Sequence, residues 1–175
     1  MSPSSSEQIC KFTFGESKLT EEVKMLIELN KKFVKRLSNE LEALSERDRE
    51  YFHPHEFDVE SINNLSEEKG NHYYIYQDNL GNLAGYGMLR TFGKYKIPTL
   101  GCVIWERRRG RGNGKRLVEE LIKKARVLQY PRIRLKVSSN NKIAYRLYRK
   151  MGFQKMDKSE DEQIWMEYSY KKGQG

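Results

Sequence analysis

The fold is decided by ERRRGRGNGKRL, residues 106–117, a basic and glycine-rich turn. The apolar run before it, residues 100–105, predicts a strand, and residues 116–128 carry apolar side chains at helical spacing. A further apolar stretch at 133–137 predicts another strand, so the order is strand, helix, strand. Such a crossover between parallel strands is right-handed in nearly all proteins, and it directs the loop after the first strand toward the helix N-terminus.

The turn has the chemistry of an anion site. Glycines lack a Cβ, so the backbone can bend sharply and aim successive N–H groups at one ligand. The N-terminus of the predicted helix adds the positive end of its dipole, worth about 0.3–1 kcal/mol per charge. Formal positive charge comes from Arg109, Arg111, Lys115 and Arg116. A diphosphate group fits these features.

Two common phosphate motifs do not match the spacing of this turn. A P-loop has four residues between its first glycine and the Gly-Lys-Ser/Thr, whereas three residues separate Gly110 from Gly114. Lys115 is also followed by arginine rather than by serine or threonine. The dinucleotide fingerprint Gly-x-Gly-x-x-Gly fails because the third glycine comes one residue too early. The spacing therefore excludes a P-loop NTPase and a Rossmann dinucleotide enzyme.

The segment Arg109-x-x-Gly112-x-Gly114 resembles the acyl-CoA motif Arg/Gln-x-x-Gly-x-Gly/Ala of the GCN5-related N-acetyltransferase (GNAT) superfamily. A second element similar to that family's follows the next predicted strand: Asn141-x-x-Ala144-x-x-Leu147-Tyr148-x-x-x-Gly152-Phe153. The resemblance is close over residues 99–156 and weak over residues 1–70. It implies an α/β (α+β) fold, a mixed and mostly antiparallel sheet of six or seven strands with about four helices and a parallel strand-helix-strand crossover for the cofactor.

The resemblance also implies transfer of an acetyl group from acetyl-CoA to an amine by direct attack. The family's pantetheine contacts fall on Ile104, Glu106, Asn141 and Ala144. Its diphosphate contacts fall on the turn, at Arg109, Gly110, Arg111, Gly112, Asn113, Gly114 and Lys115. Tyr148 would face the sulfur and protonate the departing CoA thiolate. That role is chemically reasonable, because a phenol of pKa about 10 can donate to a thiolate of pKa about 8.5 as charge develops.

Simpler interpretations stand beside these roles. Tyr148 shares a helical face with other apolar residues and is also explained as a buried core aromatic. Asn141 is also explained as a helix N-cap, which is compatible with a cofactor contact. The Arg/Gly turn could belong to a nucleic-acid-binding segment, which the apolar face of the following helix disfavours. A noncatalytic CoA-binding domain is the remaining alternative, and the presence of Tyr148 argues against it.

The sequence leaves the general base and the acceptor open. The strand at 98–105 has no carboxylate, so the candidates for the base or for acceptor contacts are Glu106, His53, His55 and Glu56. The aromatic and imidazole groups of residues 51–57 favour a small-molecule acceptor such as an amino sugar or a related metabolite. A protein N-terminus or lysine is the alternative acceptor.

Charge is distributed unevenly along the chain, whose formal net charge is +9. Residues 106–150 hold 16 Lys/Arg and 3 Glu, whereas residues 1–70 hold 10 Lys/Arg and 15 Asp/Glu. One hypothesis is that the acidic half attracts a cationic or polar amine while the basic crossover holds CoA. Solvated acidic helix surfaces explain the same acids without any function.

Composition and hydropathy bound the remaining expectations. With 175 residues the chain fits one domain, which we expect at 10–175 after a flexible tail at 1–9. No run is apolar enough to span a membrane or to form a signal peptide, and two distant cysteines do not suggest disulfides, so a cytoplasmic enzyme is expected. The His53-x-His55 pair lacks further ligands, which predicts no metal. The oligomeric state cannot be read from the sequence, and a dimer stays open.

The other secondary-structure predictions follow from spacing and capping signals. Apolar residues from Val23 to Leu44 recur at helical spacing, which predicts a long helix from Thr20, with a break at Ser38-Asn39 as one option. Short helices are predicted after Ser45 and after Asp58. A β-hairpin is expected at 72–92, an extended stretch at 10–14, a helix at 141–151, and strands at 153–156 and 163–170.

Overall fold

The structure, a computed structural model, describes residues 26–78, 80–92, 97–160 and 162–170. Within these ranges it contains seven strands, five α-helices and two short 3₁₀ helices at Lys31–Phe33 and Glu106–Arg108. The strands are β1 Leu26–Glu28, β2 His72–Gln77, β3 Leu83–Arg90, β4 Thr99–Ile104, β5 Arg132–Ser138, β6 Gln154–Glu160 and β7 Gln163–Ser169. The α-helices are α1 Val34–Glu42, α2 Glu46–Tyr51, α3 Val59–Glu67, α4 Asn113–Val127 and α5 Lys142–Lys150.

The strands form one sheet in the order β1-β2-β3-β4-β5-β7-β6. Every neighbouring pair is antiparallel except β4 and β5, which are parallel and joined by α4. The predicted mixed, mostly antiparallel sheet with a parallel crossover is therefore confirmed. One apolar core lies between the sheet and α4 and α5, and a second lies between the sheet and α1 to α3.

The predicted long helix from Thr20 is confirmed at α1 and wrong at Leu26–Glu28. Leu26–Glu28 is an edge strand that pairs antiparallel with β2, with Glu28 opposite Tyr74. Asn30 then starts a short 3₁₀ helix, because its side chain accepts a hydrogen bond from the backbone N–H of Lys32. The α-helix that follows, α1, runs through Ser38-Asn39 without a break. The predicted tail at 1–9, the extended stretch at 10–14 and the start at Thr20 lie outside the described residues.

The other predicted helices are present at shifted bounds. Ser45 and Asp58 cap α2 and α3 as predicted, each accepting a bond from the backbone N–H three residues on. Helix α4 begins at Asn113 rather than Arg116, because Gly112 adopts a left-handed φ of 77° and serves as the N-cap residue. Asn141 caps α5, with its side chain accepting from Ala144 N at 3.1 Å.

The parallel strands β4 and β5 meet at one end. Their register consists of one pair, Thr99 with Arg134, whereas β5 pairs with β7 at seven positions. Arg134 N also donates to Pro98 O at 2.9 Å at the same end. Toward Ile104 and Val137 a cavity lies between the two strands. The break in pairing at the middle of the sheet is the feature that positions the site.

Two further findings concern the described ranges. None of their helices is long and apolar enough to cross a membrane. Within the same ranges no group of three or more His, Cys, Asp or Glu side chains is placed to hold a metal ion.

Candidate functional site

The cavity between β4 and β5 has a volume of about 360 Å³. On the β4 side it is lined by Ile104, Glu106 and Arg109, and on the α5 side by Asn141 and Ala144. All five residues were predicted as cofactor contacts, and the structure brings them to one cavity. The carbonyl of Ile104 already accepts a bond from Arg109 Nε at 2.9 Å, so a ligand would share that oxygen or meet neighbouring backbone groups.

The loop before α4 is open to solvent and carries unsatisfied donors. Gly110 and Gly112 have φ values of 74° and 77°, and a Cβ built at either would find nothing within 4 Å. No side chain caps α4, in contrast to α2, α3 and α5, so its first N–H groups have neither intrahelical nor capping partners. These donors and the helix dipole suit an anion. Arg111 lies exposed on the same loop, and Lys115 lies exposed in the first turn of α4.

Two residues predicted to contact the cofactor, Asn113 and Arg109, use their side chains to hold the loop in place. Asn113 is 4% exposed, donates to Arg108 O at 2.8 Å and accepts from the Tyr76 hydroxyl at 3.3 Å. Its side chain faces the core, so Asn113 could meet a ligand through its backbone N–H. The Arg109 guanidinium lies 2.8 Å from Asp48 of α2. Both side chains hold the shape of the loop.

Tyr148 is buried on α5 at the mouth of the strand gap. Its hydroxyl lies 3.6 Å from Cys102 Sγ of β4, and its ring packs against Phe153. Burial raises the pKa of Tyr148 well above 10, and the neighbouring Cys102 raises it further. Burial also raises the pKa of Cys102 to about 11. Both groups therefore stay protonated at neutral pH, which makes Tyr148 a proton donor rather than a base.

A second and wider groove of about 700 Å³ opens on the other side of the same gap. It shares six lining residues with the first cavity, namely Tyr51, Phe52, Cys102, Lys136, Ser138 and Tyr148. Tyr148 and Cys102 thus stand where the two spaces meet. The arrangement provides one space for an acyl donor, another for an acceptor, and a buried phenol between them.

The structure separates the residues predicted on the acceptor side. His53 lines the wide groove, but His55 and Glu56 are not among its lining residues. The His55 ring packs edge-on against Phe57, Tyr73 and Tyr86 and bonds the Tyr86 hydroxyl through Nε2 at 3.1 Å. Burial, together with the charge of Arg90, lowers the pKa of His55, although a bond to the Glu56 carbonyl opposes this. His55 is therefore a packed, neutral imidazole, and the Glu56 side chain is exposed.

Sequence reasoning missed several groups that line the groove: Glu50, Arg90, Lys136, Gln163 and Trp165. Arg90 follows seven buried residues of β3, so a charge at the end of an otherwise apolar strand was the available signal. Lys136 lies over the Trp165 ring at 4.6 Å. The sequence signal for Lys136 was weaker, because charged and apolar residues alternate along β5 as they do along any half-exposed strand.

Residues 38–153 match the model of the acetyltransferase (GNAT) family, so the chain belongs to this family. It is 33% identical over 102 residues to a spermine/spermidine N(1)-acetyltransferase of Bacillus subtilis (strain 168), a match that covers 51% of this chain and 66% of that relative. The match thus spans slightly less than two thirds of the relative's length.

Solved structures share the fold at low sequence identity. The GNAT domain of S. lividans PAT superposes with a TM-score of 0.73 at 14% identity, covering 83% of this chain and 89% of that one. Spermidine N-acetyltransferase from Vibrio cholerae, solved in complex with CoA and spermine, superposes with a TM-score of 0.66 at 18% identity, covering 81% and 91%. At these identities the likeness establishes the architecture.

Proposed function

We propose that this protein is an acetyl-CoA-dependent N-acetyltransferase whose acceptor is a primary amine on a small molecule. The observation that carries the proposal is the meeting of two cavities at Tyr148, in the gap where β4 and β5 stop pairing. A donor in one space and an amine in the other would place the reacting atoms beside the Tyr148 hydroxyl. Membership of the acetyltransferase family supports the same chemistry.

The residues present fit acetyl-CoA, which supplies the acetyl group as a thioester. Gly110 and Gly112 leave the space above the loop free, and the uncapped N-terminus of α4 offers donors for a diphosphate. The pantetheine arm would lie in the gap along Ile104 and Glu106, opposite Asn141. The site needs no change of backbone to present these groups.

Direct transfer requires a C–N bond to form as the thioester C–S bond breaks. The leaving sulfur must gain a proton, and the amine must lose one. Tyr148 Oη donates the first proton in this proposal, since its raised pKa keeps the hydroxyl protonated. A neighbouring Cys102 Sγ at 3.6 Å orients that hydroxyl without competing for the proton.

The amine must be neutral before it attacks. A lysine-like amine of pKa about 10.4 is neutral in roughly one molecule in 2,500 at pH 7, so a proton acceptor near the groove would help. Glu50 and His53 line the groove and are the groups placed for this task, whereas the predicted alternative Glu106 lies on the donor side. The other two predicted alternatives, His55 and Glu56, are not among its lining residues.

A polyamine is a second candidate acceptor, favoured by the similarity to the spermine/spermidine N(1)-acetyltransferase of Bacillus subtilis. Peptide or protein amines are a third. The wide groove is lined by the aromatic side chains Tyr51, Phe52, Phe92 and Trp165, which favours a compact apolar or mixed substrate over an extended chain.

The first test is calorimetric titration of acetyl-CoA and CoA into the wild type and into an Arg109→Ala/Gly112→Trp double variant. Saturable binding that the double variant loses is the expected result. The second test scores thiol release with a panel of amines and peptides. Absence of binding by the wild type would overturn the proposal and favour nucleic acid as the partner of the loop. Tight binding without turnover would favour a noncatalytic CoA-binding domain.

A further inference from the structure

The wide acceptor groove holds opposite charges at two different places. Among the described residues that line it, Glu50 lies exposed on α2, whereas Arg90 lies partly buried at the end of β3. An acceptor that places a second positive charge beside Arg90 would meet repulsion there.

Several acids of the N-terminal half are engaged away from the groove. Glu40 pairs with Arg107, and Asp48 pairs with Arg109, so both face the loop before α4. Glu68 accepts bonds from Tyr73 and Asn71. Among the described acids of this half, Glu50 is the one that lines the acceptor groove.

Arg90 and Trp165 are the described groove residues that carry a buried N–H without a hydrogen-bond partner, and Arg90 is the charged one of the two. Its NH1 donates to Pro54 O at 2.8 Å, and its guanidinium lies 5.1 Å from the centre of the Phe92 ring. Its Nε is buried and has no hydrogen-bond partner among the described residues, and no described carboxylate lies within ion-pair distance. A partly buried guanidinium held by one neutral carbonyl gains most from a carboxylate or phosphate, which accepts bidentate bonds.

We infer that the acceptor is an amine that also carries an anionic group, a carboxylate or a phosphate, bound by Arg90. The inference rests on the proposed acetyltransferase function and names the substrate class of the same groove. It opposes a polyamine acceptor, although the Bacillus subtilis relative is a spermine/spermidine N(1)-acetyltransferase.

The sheet register gives the spacing between the two functional groups. Arg90 pairs with Thr99 across β3 and β4, and Cys102, beside the reacting hydroxyl of Tyr148, lies three residues further along β4. At about 3.3 Å per residue this separates the two levels by roughly 10 Å along the strand, and the odd offset puts the two side chains on opposite faces of the sheet, so the groups are at least this far apart. An amine and an anion joined by a chain of about seven or more single bonds span such a distance.

A matched series of amines tests the inference. Hexylamine, 6-aminohexanoate, 6-aminohexyl phosphate and 1,6-diaminohexane present the same primary amine and differ at the far end, which is neutral, anionic or cationic. We expect kcat/KM to be about 10- to 100-fold higher for one of the anionic amines than for the diamine, as charge-assisted hydrogen bonds typically contribute. The comparison of carboxylate with phosphate identifies the anion that the groove takes.

Variants at position 90 test whether Arg90 causes the preference for anionic amines. In Arg90→Gln we expect the anionic amine to lose about 10- to 100-fold in kcat/KM, mainly through KM, while hexylamine changes less than threefold. Arg36→Gln, which removes an exposed arginine of α1 outside the groove, should leave all four amines unchanged. Arg90→Glu should turn the preference toward 1,6-diaminohexane. Acetyl-CoA binding by each variant, measured by calorimetry, shows that it folds.

Two results would overturn the inference and leave the proposed function standing. One is a preference of the wild type for 1,6-diaminohexane or spermidine over both anionic amines. The other is normal acetyl-CoA binding with neither turnover nor calorimetric binding of either anionic amine to the CoA complex. Failure of acetyl-CoA itself to bind would instead overturn the proposed function, so the two failures are distinguishable.

Discussion

Asp48 Oδ2 lies 2.8 Å from the guanidinium of Arg109, and this ion pair joins helix α2 to the loop before α4. The Asp48 side chain is 14% exposed, and Arg109 Nε donates to Ile104 O at 2.9 Å. One arginine therefore ties together α2, the end of β4 and the predicted diphosphate loop. Because a carboxylate already offsets its charge, we expect Arg109 to contribute to the proposed diphosphate binding chiefly by fixing the loop.

This positioning role predicts coupling between the two residues. Asp48→Asn should weaken acetyl-CoA binding about two- to fivefold, although it removes a negative charge near an anion. The double variant with Arg109→Ala should cost less than the sum of the singles, with a coupling free energy of about 0.5–1 kcal/mol for a partly exposed pair. Calorimetry on the four proteins measures it.

Glu40→Gln is the matched control, since it removes the ion pair of the neighbouring Arg107. It should leave acetyl-CoA affinity within about twofold of the wild type. Strictly additive effects of the Asp48 and Arg109 changes, or tighter binding by Asp48→Asn, would show that Arg109 acts as a free charge.

Gly112 and Gly70 form a matched pair for testing whether the loop before α4 holds the diphosphate. Both have positive φ values, 77° and 89°, and a Cβ at either would meet nothing within 4 Å. Alanine at either position should therefore lower the free energy of unfolding by about 1–2 kcal/mol through backbone strain alone. Gly112→Ala should in addition weaken acetyl-CoA binding, because its Cβ enters the space where the backbone would approach the diphosphate.

Urea denaturation and calorimetric titration separate the two effects. Gly70→Ala should lose stability and keep its affinity for acetyl-CoA. Equal affinities in the two alanine variants would mean that the loop does not hold the diphosphate closely.

The cofactor side was predictable because its signals are local in sequence. Residues 109–115 form one continuous segment, the loop before α4 and the first turn of that helix, and the spacing of Gly112 and Gly114 together with the apolar helix face determines its place at the strand end. The strand Leu26–Glu28 was missed because three residues are too short to show a two-residue period, and its pairing with β2 overrode a helical pattern.

The acceptor side could not be predicted in the same way. Its groove gathers Glu50 from α2, Arg90 from β3, Lys136 from β5 and Trp165 from β7. No spacing in the sequence relates residues from four separate elements, and the sheet order alone brings them together. His53 and His55 are two residues apart but have different environments. The His53 ring is exposed, whereas the His55 ring packs among three aromatic side chains.

Tyr148→Phe should lower kcat about 100-fold or more, the usual contribution of a general acid. Acetyl-CoA affinity and KM for the amine should change less than about threefold, because the one hydrogen bond of this hydroxyl to a described residue is that to Cys102 Sγ at 3.6 Å. Since the pKa of Tyr148 lies well above 10, wild-type kcat should not fall between about pH 7 and 9 through loss of this proton. Steady-state kinetics across that range measures both effects.

Tyr145→Phe provides the control for the Tyr148 variant. Tyr145 lies on the same helix, is partly buried against the same core and does not line either cavity. Its kcat should stay within about twofold of the wild type. A similar loss in both variants would assign the effect to packing of α5 and not to proton transfer.

His55 should make the stability of the protein depend on pH. Burial, with the charge of Arg90, holds the pKa of His55 below its usual value of 6.5. The unfolded chain therefore binds a proton that the folded chain excludes, and stability is lost as pH falls from about 6.5 toward the folded pKa. The slope contributed by this group is at most about 1.4 kcal/mol per pH unit. His55→Gln should flatten the dependence of the free energy of unfolding on pH between about pH 5 and 6.5, measured by urea denaturation. If the slope were equally steep in His55→Gln and in the wild type, the difference in bound protons between the folded and the unfolded chain would have to arise at another group.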